Sequence, residues 1–357
     1  MDAEHKRVTL EEGPVCPIPL PHQERIVLGH GSGGKMTHDL VERLFLPHFD
    51  NPILRTGDDA APLELGEELE LALSTDSHVV TPLFFPGGDI GRLAVCGTVN
   101  DVAMLGAKPL YLTAGFILEE GLEMRTLERV IHSMMEAAQE AGVAIVAGDT
   151  KVVERGKADR LFINTTGLGV RRKGLKIGGA QARPGDAVLL SGPLGDHGMA
   201  VVRARGELGF EIEVESDTAP LNGLVEALLE SGAEVHVLRD PTRGGLATTL
   251  NEIAAQSQVG ILLDEAAIPV RPAVQAACEA LGFDPLYLAN EGRLAAIVAE
   301  EGAERALRAL RGQRYGEASV RIGRVVENHA GRVMLKTRLG STRVIERLAG
   351  EMLPRIC

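Results

Sequence analysis

Gly142-Val143-Ala144-Ile145-Val146-Ala147-Gly148-Asp149-Thr150-Lys151 is the stretch whose reading decides the fold. An apolar run of strand length, opened by glycine and closed on Gly148-Asp149, reads as a buried strand that ends at an acidic residue. The residues before it carry Leu127, Val130, Ile131, Met134 and Ala138 at helical spacing, so 124–141 is an amphipathic helix whose methionines face the core. Leu110 to Leu118 precedes that helix as a second strand. Strand, helix, strand is therefore the building unit. It continues with a strand over 161–170 and starts afresh after Arg171-Arg172-Lys173-Gly174, a basic stretch that reads as a solvated boundary. Strands are predicted at 187–190, 235–238, 260–263, 294–299, 320–326 and 332–336, and helices at 199–205, 221–230, 245–255 and 302–310. Two α+β halves of comparable size fit this order better than one doubly wound sheet. The predicted division is an N-terminal arm over 1–25, a first domain over 26–170, a second over 171–336 and a mobile tail over 337–357, where regular periodicity lapses.

The acidic strand ending recurs along the chain. Asp58 and Asp59 stand in Gly57-Asp58-Asp59-Ala60-Ala61, and Asp76 closes Ser74-Thr75-Asp76 after the apolar run 69–73. Asn100-Asp101 lies in a helical stretch with Leu93, Val99, Val102 and Ala103, and Arg239-Asp240-Pro241-Thr242-Arg243-Gly244-Gly245 follows the strand at 235–238. A single Asp of this kind is a cap or a turn former. Strands of one sheet finish along a common edge, however, so a set of them gathers carboxylates in one cleft, and their repulsion asks for a cation. Hard oxygen donors with no histidine beside them fit magnesium held together with a substrate's phosphates. The expected site is one for a magnesium nucleotide.

Gly29-His30-Gly31-Ser32-Gly33-Gly34-Lys35-Met36-Thr37 follows a predicted strand at 24–28 and is the most glycine-dense stretch. It matches both G-x-G-x-x-G and the opening of a P-loop, yet Met36 stands where a P-loop needs a hydroxyl for magnesium. Bare backbone N–H groups and the Lys35 cation suit a phosphate, and a flexible turn before a helix starting near Thr37 accounts for the same glycines.

The 357 residues, 45% hydrophobic and 24% charged, suffice for two cores. A formal charge of −13 argues against a surface for nucleic acid or an anionic membrane, either of which needs clustered Lys and Arg. Aromatic residues at 3%, with no Trp, leave no base-stacking platform. No stretch approaches the ~20 apolar residues of a membrane span, and the charged, proline-rich opening lacks the apolar core of a signal peptide. Cys16, Cys96, Cys278 and Cys357 form no C-x-x-C pair, so the expectation is a cytoplasmic protein with reduced thiols. Cys357 ends the chain, with no following residue to obstruct its sulfur. Pro354 stiffens the segment into a projecting tip, the α-carboxylate hinders ionisation of the thiol, and Arg355 eases it. An idle exposed thiol is the alternative.

These motifs, in this order, with Asn290-Glu291-Gly292 and the ending Pro354-Arg355-Ile356-Cys357, resemble the PurM-like ATP-dependent synthetases. Among them the chain is most similar, from about Ile26 to Cys357, to the HypE family, carbamoyl dehydratases of NiFe-hydrogenase maturation. The resemblance implies a PurM-like two-domain α+β fold whose N-terminal domain binds ATP and dimerises. It implies ATP-dependent dehydration of a carbamoyl group, carried on Cys357 as an S-thiocarbamate, to a thiocyanate. Cys357, Lys151 and Glu291 are the implied catalytic residues, the last two handling protons. Around ATP it implies Gly31, Ser32, Gly33, Gly34, Lys35, Asp58, Asp59, Asp76, Asn100, Asp101, Asp149, Thr150 and Asp240, of which Asp58, Asp76, Asp101, Asp149 and Asp240 face Mg2+. The implied partners are a HypF-like carbamoyltransferase, a HypC–HypD-like complex as cyanide acceptor, and a second copy of the chain. AIR synthetases, selenophosphate synthetases and thiamine-phosphate kinases share the acidic motifs but not the terminal Pro-Arg-Ile-Cys. A non-catalytic scaffold that docks through its terminal cysteine is the alternative of another class, and such a scaffold has no need of a full set of repelling carboxylates.

Overall fold

Among the described residues the alternation of strand and helix resolves into two large sheets and a short two-stranded one. The computed structural model describes residues 34–40, 42, 54–56, 58, 60–65, 68–206, 212–348, 353 and 355–357; the predicted arm and first strand, with Gly31, Ser32, Gly33 and Asp59, lie outside them. The first sheet has five strands: β1 (Ala61–Leu65), β2 (Leu69–His78), β5 (Lys108–Glu119), β6 (Ala144–Val153) and β7 (Leu161–Arg172), in the order β1-β2-β7-β5-β6. A short hairpin of β3 (Phe84–Phe85) and β4 (Gly88–Asp89) leads into α2 (Ile90–Met104), and α3 (Met124–Ala141) crosses from β5 to the parallel β6. A short helix, α1 (Lys35–Leu40), precedes them. The second sheet has seven strands in the order β14-β13-β10-β12-β8-β11-β9. They are β8 (Ala187–Leu190), β9 (Val235–Arg239), β10 (Gly260–Asp264), β11 (Ala295–Val298), β12 (Val320–Val326), β13 (Arg332–Lys336) and β14 (Thr342–Ile345). Its helices are α4 (Asp196–Arg205), α5 (Asn222–Glu230), α6 (Gly245–Ser257), α7 (Pro272–Leu281) and α8 (Ala303–Arg311). No described helix is long and apolar enough to cross a membrane.

Several local readings are corrected. The run after Gly142 is an exposed edge strand rather than a buried one, and both Asp149 and Asp76 lie inside their strands, opposite Gly115 and Thr165, rather than past their ends. Periodicity does not lapse at Lys336, because β14 pairs antiparallel with β13. Arg171 is no solvated linker residue: its side chain is buried, with Nε 2.8 Å from Glu70 Oε2 and Nη1 donating to Leu105 O at 3.1 Å. The helix from Pro272 was missed, although proline at its first position is a start signal.

The helix that joins the domains is α2. Asp89 caps it, its Oδ1 accepting from Gly91 N–H at 2.7 Å and Arg92 N–H at 3.1 Å, a contact worth about 1 kcal/mol. Nearly every side chain along α2 is buried, because the helix lies between the first sheet and the second domain. Ala103 and Met104 at its end share a hydrophobic cluster with Leu224, Leu228 and Leu238 of the second domain. Asn100 adds a polar staple, its Nδ2 donating to Ala219 O at 3.1 Å and its Oδ1 accepting from Leu221 N–H at 2.8 Å. On the other side β7 approaches so closely that a Cβ at Gly169 would lie 2.5 Å from Val102 Cγ1 and 2.7 Å from Lys108 O. Gly169→Ala should therefore destabilise the protein by about 1–3 kcal/mol through overpacking. Gly223→Ala on α5, where nothing lies within 4 Å of the added carbon, should leave stability unchanged or slightly raised. Urea unfolding of the two variants checks the contrast.

Candidate active site

Carboxylates from separate segments converge where the two domains meet. Asp76 on β2 accepts at Oδ1 from Ser77 N–H at 2.8 Å, and its Oδ2 lies 3.6 Å from His78 Nε2. Asp101 on α2 accepts from Ser74 Oγ at 2.7 Å. Asp240 follows β9, and Glu291 precedes β11 and is only 3% exposed. Burial, then the charges of Asp240, Asp76 and Asp217, push the Glu291 carboxyl well above the usual carboxylate range, with Arg243 opposing. Its Oε1 has no hydrogen-bond partner among the described residues. A buried carboxyl oxygen facing other carboxylates is a place for a proton or a cation. Among the described residues no three of His, Cys, Asp or Glu enclose an ion by themselves, which leaves phosphate oxygens and water to complete a shell.

The loops that carry these groups are braced from behind. Thr242 N–H donates to Asp240 O and Gly245 N–H to Thr242 O, both at 2.9 Å, so the turn doubles back directly after Asp240. Gly245 opens α6 at φ +63°, where a Cβ would lie 2.4 Å from Leu286 O. Asn290 ties two loops together, its Nδ2 donating to Pro241 O at 2.9 Å and its Oδ1 accepting from Gly195 N–H at 2.7 Å. Glu291 N–H donates to Asp217 Oδ1 at 3.1 Å, and Arg293 holds Asp217 at 3.3 Å and Asp196 at 3.1 Å.

The chain terminus does not project; it docks. Val79 N–H donates to Cys357 O at 3.1 Å and Thr81 N–H to Arg355 O at 3.2 Å, so the last residues run antiparallel to the segment after β2. Ile356, 4% exposed, joins the first-domain cluster that holds Phe85, Val201 and Ala289. This brings the Cys357 thiol against Glu291, near enough for thiol-to-carboxylate hydrogen bonding, with Arg243 and Asp76 beside it. Burial pushes the thiol up, Arg243 pulls it down, and Glu291 and Asp76 add to the rise, so the docked cysteine stays protonated. Arg355, expected to ease its ionisation, instead pairs with Asp159. Arg243 takes that part: the neighbouring Cys357, and then Asp76, Glu291 and Asp101, raise its guanidinium's pKa against the opposing cost of desolvation.

Other expected site residues stand elsewhere. Lys151 and Asp149 pair with each other at 3.1 Å on exposed β6, with Thr150 exposed between them. Lys35 Nζ is taken by Asp39 at 2.6 Å, and its backbone N–H donates to Leu348 O at 2.9 Å, which buries Gly34 against the same carbonyl. Asp58 accepts from Gly179 N–H at 2.8 Å and lies 3.8 Å from Arg239. Asn100 is committed to the backbone of Ala219 and Leu221. Within one copy, then, Asp76, Asp101 and Asp240 converge, while Asp58 and Asp149 do not. The expectation of no histidine near the carboxylates is corrected by His78, whose buried ring has its pKa lowered by burial despite Asp76. Arg243 and Asp217 were also missed as site residues. Charge balance was the available signal for Arg243, a cation inside an otherwise acidic motif set.

With this geometry in view, relatives can be compared. The family profile "AIR synthase related protein, N-terminal domain" matches residues 57–171, and "AIR synthase related protein, C-terminal domain" matches 183–336. Carbamoyl dehydratase HypE of Cupriavidus necator is 56% identical over 333 residues, 93% of this chain and 95% of that protein. A crystal structure of hydrogenase maturation protein HypE in complex with ATP superposes with a TM-score of 0.78 at 57% identity, covering 93% of this chain and 100% of that one. A HypE–HypF complex gives a TM-score of 0.82 at 51% identity, covering 87% of this chain and 99% of that one. The chain belongs to the AIR synthase related family and, within it, to the HypE carbamoyl dehydratases.

Proposed function

We propose that this protein uses ATP to dehydrate a carbamoyl group carried on Cys357, turning an S-thiocarbamate into a thiocyanate for the cyanide ligands of a NiFe-hydrogenase iron. The observation that carries the reading is the docked thiol, held against the buried Glu291 and Arg243 among converging carboxylates. The carboxamide oxygen is a poor leaving group, so it first attacks the γ-phosphorus of ATP and releases ADP. The C–O bond then breaks, phosphate leaves with the electron pair, and the nitrogen sheds two protons as C≡N forms. Glu291, whose proton affinity is raised, is suited to take one of them. Arg243 is placed to meet negative charge developing on the phosphorylated oxygen. The hard oxygens of Asp76, Asp101 and Asp240 would hold magnesium together with phosphate oxygens, and the ion would neutralise phosphate charge there.

The protonated state of the docked thiol divides the reaction in space. Only a thiolate attacks a carbamoyl donor, so loading by a HypF-like carbamoyltransferase takes place with the tail undocked, and dehydration with it docked. The nine residues after Leu348 span roughly 30 Å when extended, enough to leave the cleft for that partner or for a HypC–HypD-like acceptor. Among the described residues β6 is the edge of its sheet, with Ile145, Val146 and Val152 exposed, which favours a second copy against it. Lys151 and Asp149 lie on that strand, so their part in proton handling and metal binding is proposed for the homodimer. The free cysteines Cys96, Cys278 and Cys357 accord with a reducing, cytoplasmic setting.

Glu291→Gln should bind ATP as the unaltered protein does and yet form no thiocyanate from a carbamoylated tail; normal thiocyanate formation would assign the base elsewhere. Asp101→Asn should lose at least about a hundredfold in ATP turnover while keeping its unfolding transition, read by phosphate release over a magnesium titration. Adding one residue after Cys357 should slow dehydration much more than it weakens ATP binding, because the terminal carbonyl is held by Val79 N–H. Equal rates for the extended and native tails, measured as thiocyanate per carbamoylated chain, would contradict this.

A further inference from the structure

Beneath the docked tail lies a histidine that the dehydration chemistry leaves unused. His197, the second residue of α4, is completely buried. Its Nε2 lies 2.7 Å from the Ile356 carbonyl oxygen and its Nδ1 2.8 Å from Ser216 Oγ. Ser216 Oγ in turn lies 2.6 Å from Thr218 Oγ1 and accepts from Thr218 N–H at 3.1 Å. Phe85 meets the imidazole edge-on, with centroids 5.3 Å apart at 86°, and fixes the ring plane. We propose that His197 is a latch that registers the tail: a positioning residue whose Nε2–H holds the Ile356 carbonyl and thereby sets Cys357 against Glu291. Its role in catalysis rests on the reading that Cys357 carries the substrate.

The direction of each hydrogen bond follows from the acceptors. A carbonyl oxygen only accepts, so Nε2 carries the hydrogen. In a neutral imidazole Nδ1 then accepts from the Ser216 hydroxyl, whose oxygen is left to accept from the hydroxyl and the N–H of Thr218. The chain of donors runs from Thr218 through Ser216 and His197 to the tail, and every member is satisfied only when the tail is docked. Once the tail leaves, the Nε2–H loses this acceptor. Arg205 makes a second clamp, its Nε donating to Thr81 O and its Nη2 to Arg355 O, both at 2.8 Å.

Opposing these contacts, Arg355 sits at φ +52°, a left-handed conformation that a non-glycine residue adopts only under constraint. Undocking relaxes it. The docked state is thus a balance in which one buried hydrogen bond shifts the population of free tail, as a sulfur that must leave for loading and return for dehydration requires.

The test is the rate at which iodoacetamide alkylates Cys357 in the full chain, followed on the C-terminal peptide by mass spectrometry. His197→Leu removes the donor and should raise that rate about tenfold, the shift that corresponds to ~1.4 kcal/mol. His197→Gln, whose amide nitrogen reaches the place of Nε2, should restore slow labelling. Ser216→Ala, which removes the hydroxyl that fixes the imidazole tautomer, should raise the rate several-fold, and it decides the matter if His197→Leu proves unfolded by circular dichroism. Labelling of Cys96 and Cys278, buried and pushed up to about 12 and about 11, should stay slow in every folded variant, which separates release of the tail from general loosening. Wild-type labelling rates in the folded donor-free variants, or equally fast labelling in His197→Gln and His197→Leu, would overturn the latch. Failure of the unaltered protein to form thiocyanate would instead strike the proposed reaction, and the labelling result would still decide whether His197 holds the tail.

Discussion

Carboxylates gathered at the domain junction, Asp240 and Glu291 buried and Asp76 and Asp101 partly so, with Arg243 as the cation among them, set the terms for the rest of this molecule. Asp76 on β2, Asp101 on α2, Asp240 after β9 and Glu291 before β11 come from both domains, so the domain junction carries like charges, and burial together with Asp240 and Asp76 raises the proton affinity of Glu291. Such a seam is tolerable only if packing elsewhere holds the domains together. α2 does this through Ala103 and Met104, which join the second domain's core, and through Asn100, whose amide hydrogen-bonds the backbone of Ala219 and Leu221. The repulsion then becomes an asset. A group that gives up protons meets there a carboxyl whose proton affinity is raised.

The docked terminus is the second half of the design. A cysteine at the end of a chain is ordinarily exposed and reactive, yet here antiparallel pairing with 79–81, burial of Ile356 and the His197 contact carry the sulfur into the cleft and keep it neutral. The same burial that protects a carbamoylated sulfur from water removes the thiolate needed to load it. In the proposed cycle this electrostatic difference would separate loading from dehydration.

Much of the architecture was legible in the sequence because periodicity and glycine punctuation agree: α3, β8, β12 and β13 match their predicted ranges residue for residue. What was not legible depended on partners distant in sequence. The apolar run at 144–153 reads like a core strand, but its place at the sheet edge is a fact of strand order that no local pattern encodes. Asp149 and Asp76 were assigned to strand ends from the glycine and serine beside them, whereas pairing carries both strands onward. The acidic motifs were visible as a set, yet which of them converge was not: Asp58 is drawn to Gly179, a partner far along the chain. His197 sits between two glycines at the start of α4, a pattern that marks a tight approach without naming the tail as the thing approached.

The central claim is that Cys357 carries the group that is dehydrated and that ATP cleavage drives its loss of water. The most direct measurement is mass spectrometry of the C-terminal peptide of the purified, carbamoylated protein, before and after addition of magnesium ATP, with a non-hydrolysable ATP analogue alongside. The account predicts an adduct on Cys357 that loses the mass of one water with ATP and persists with the analogue. An adduct that survives ATP unchanged, loses water equally with the analogue, or resides on another residue would contradict it.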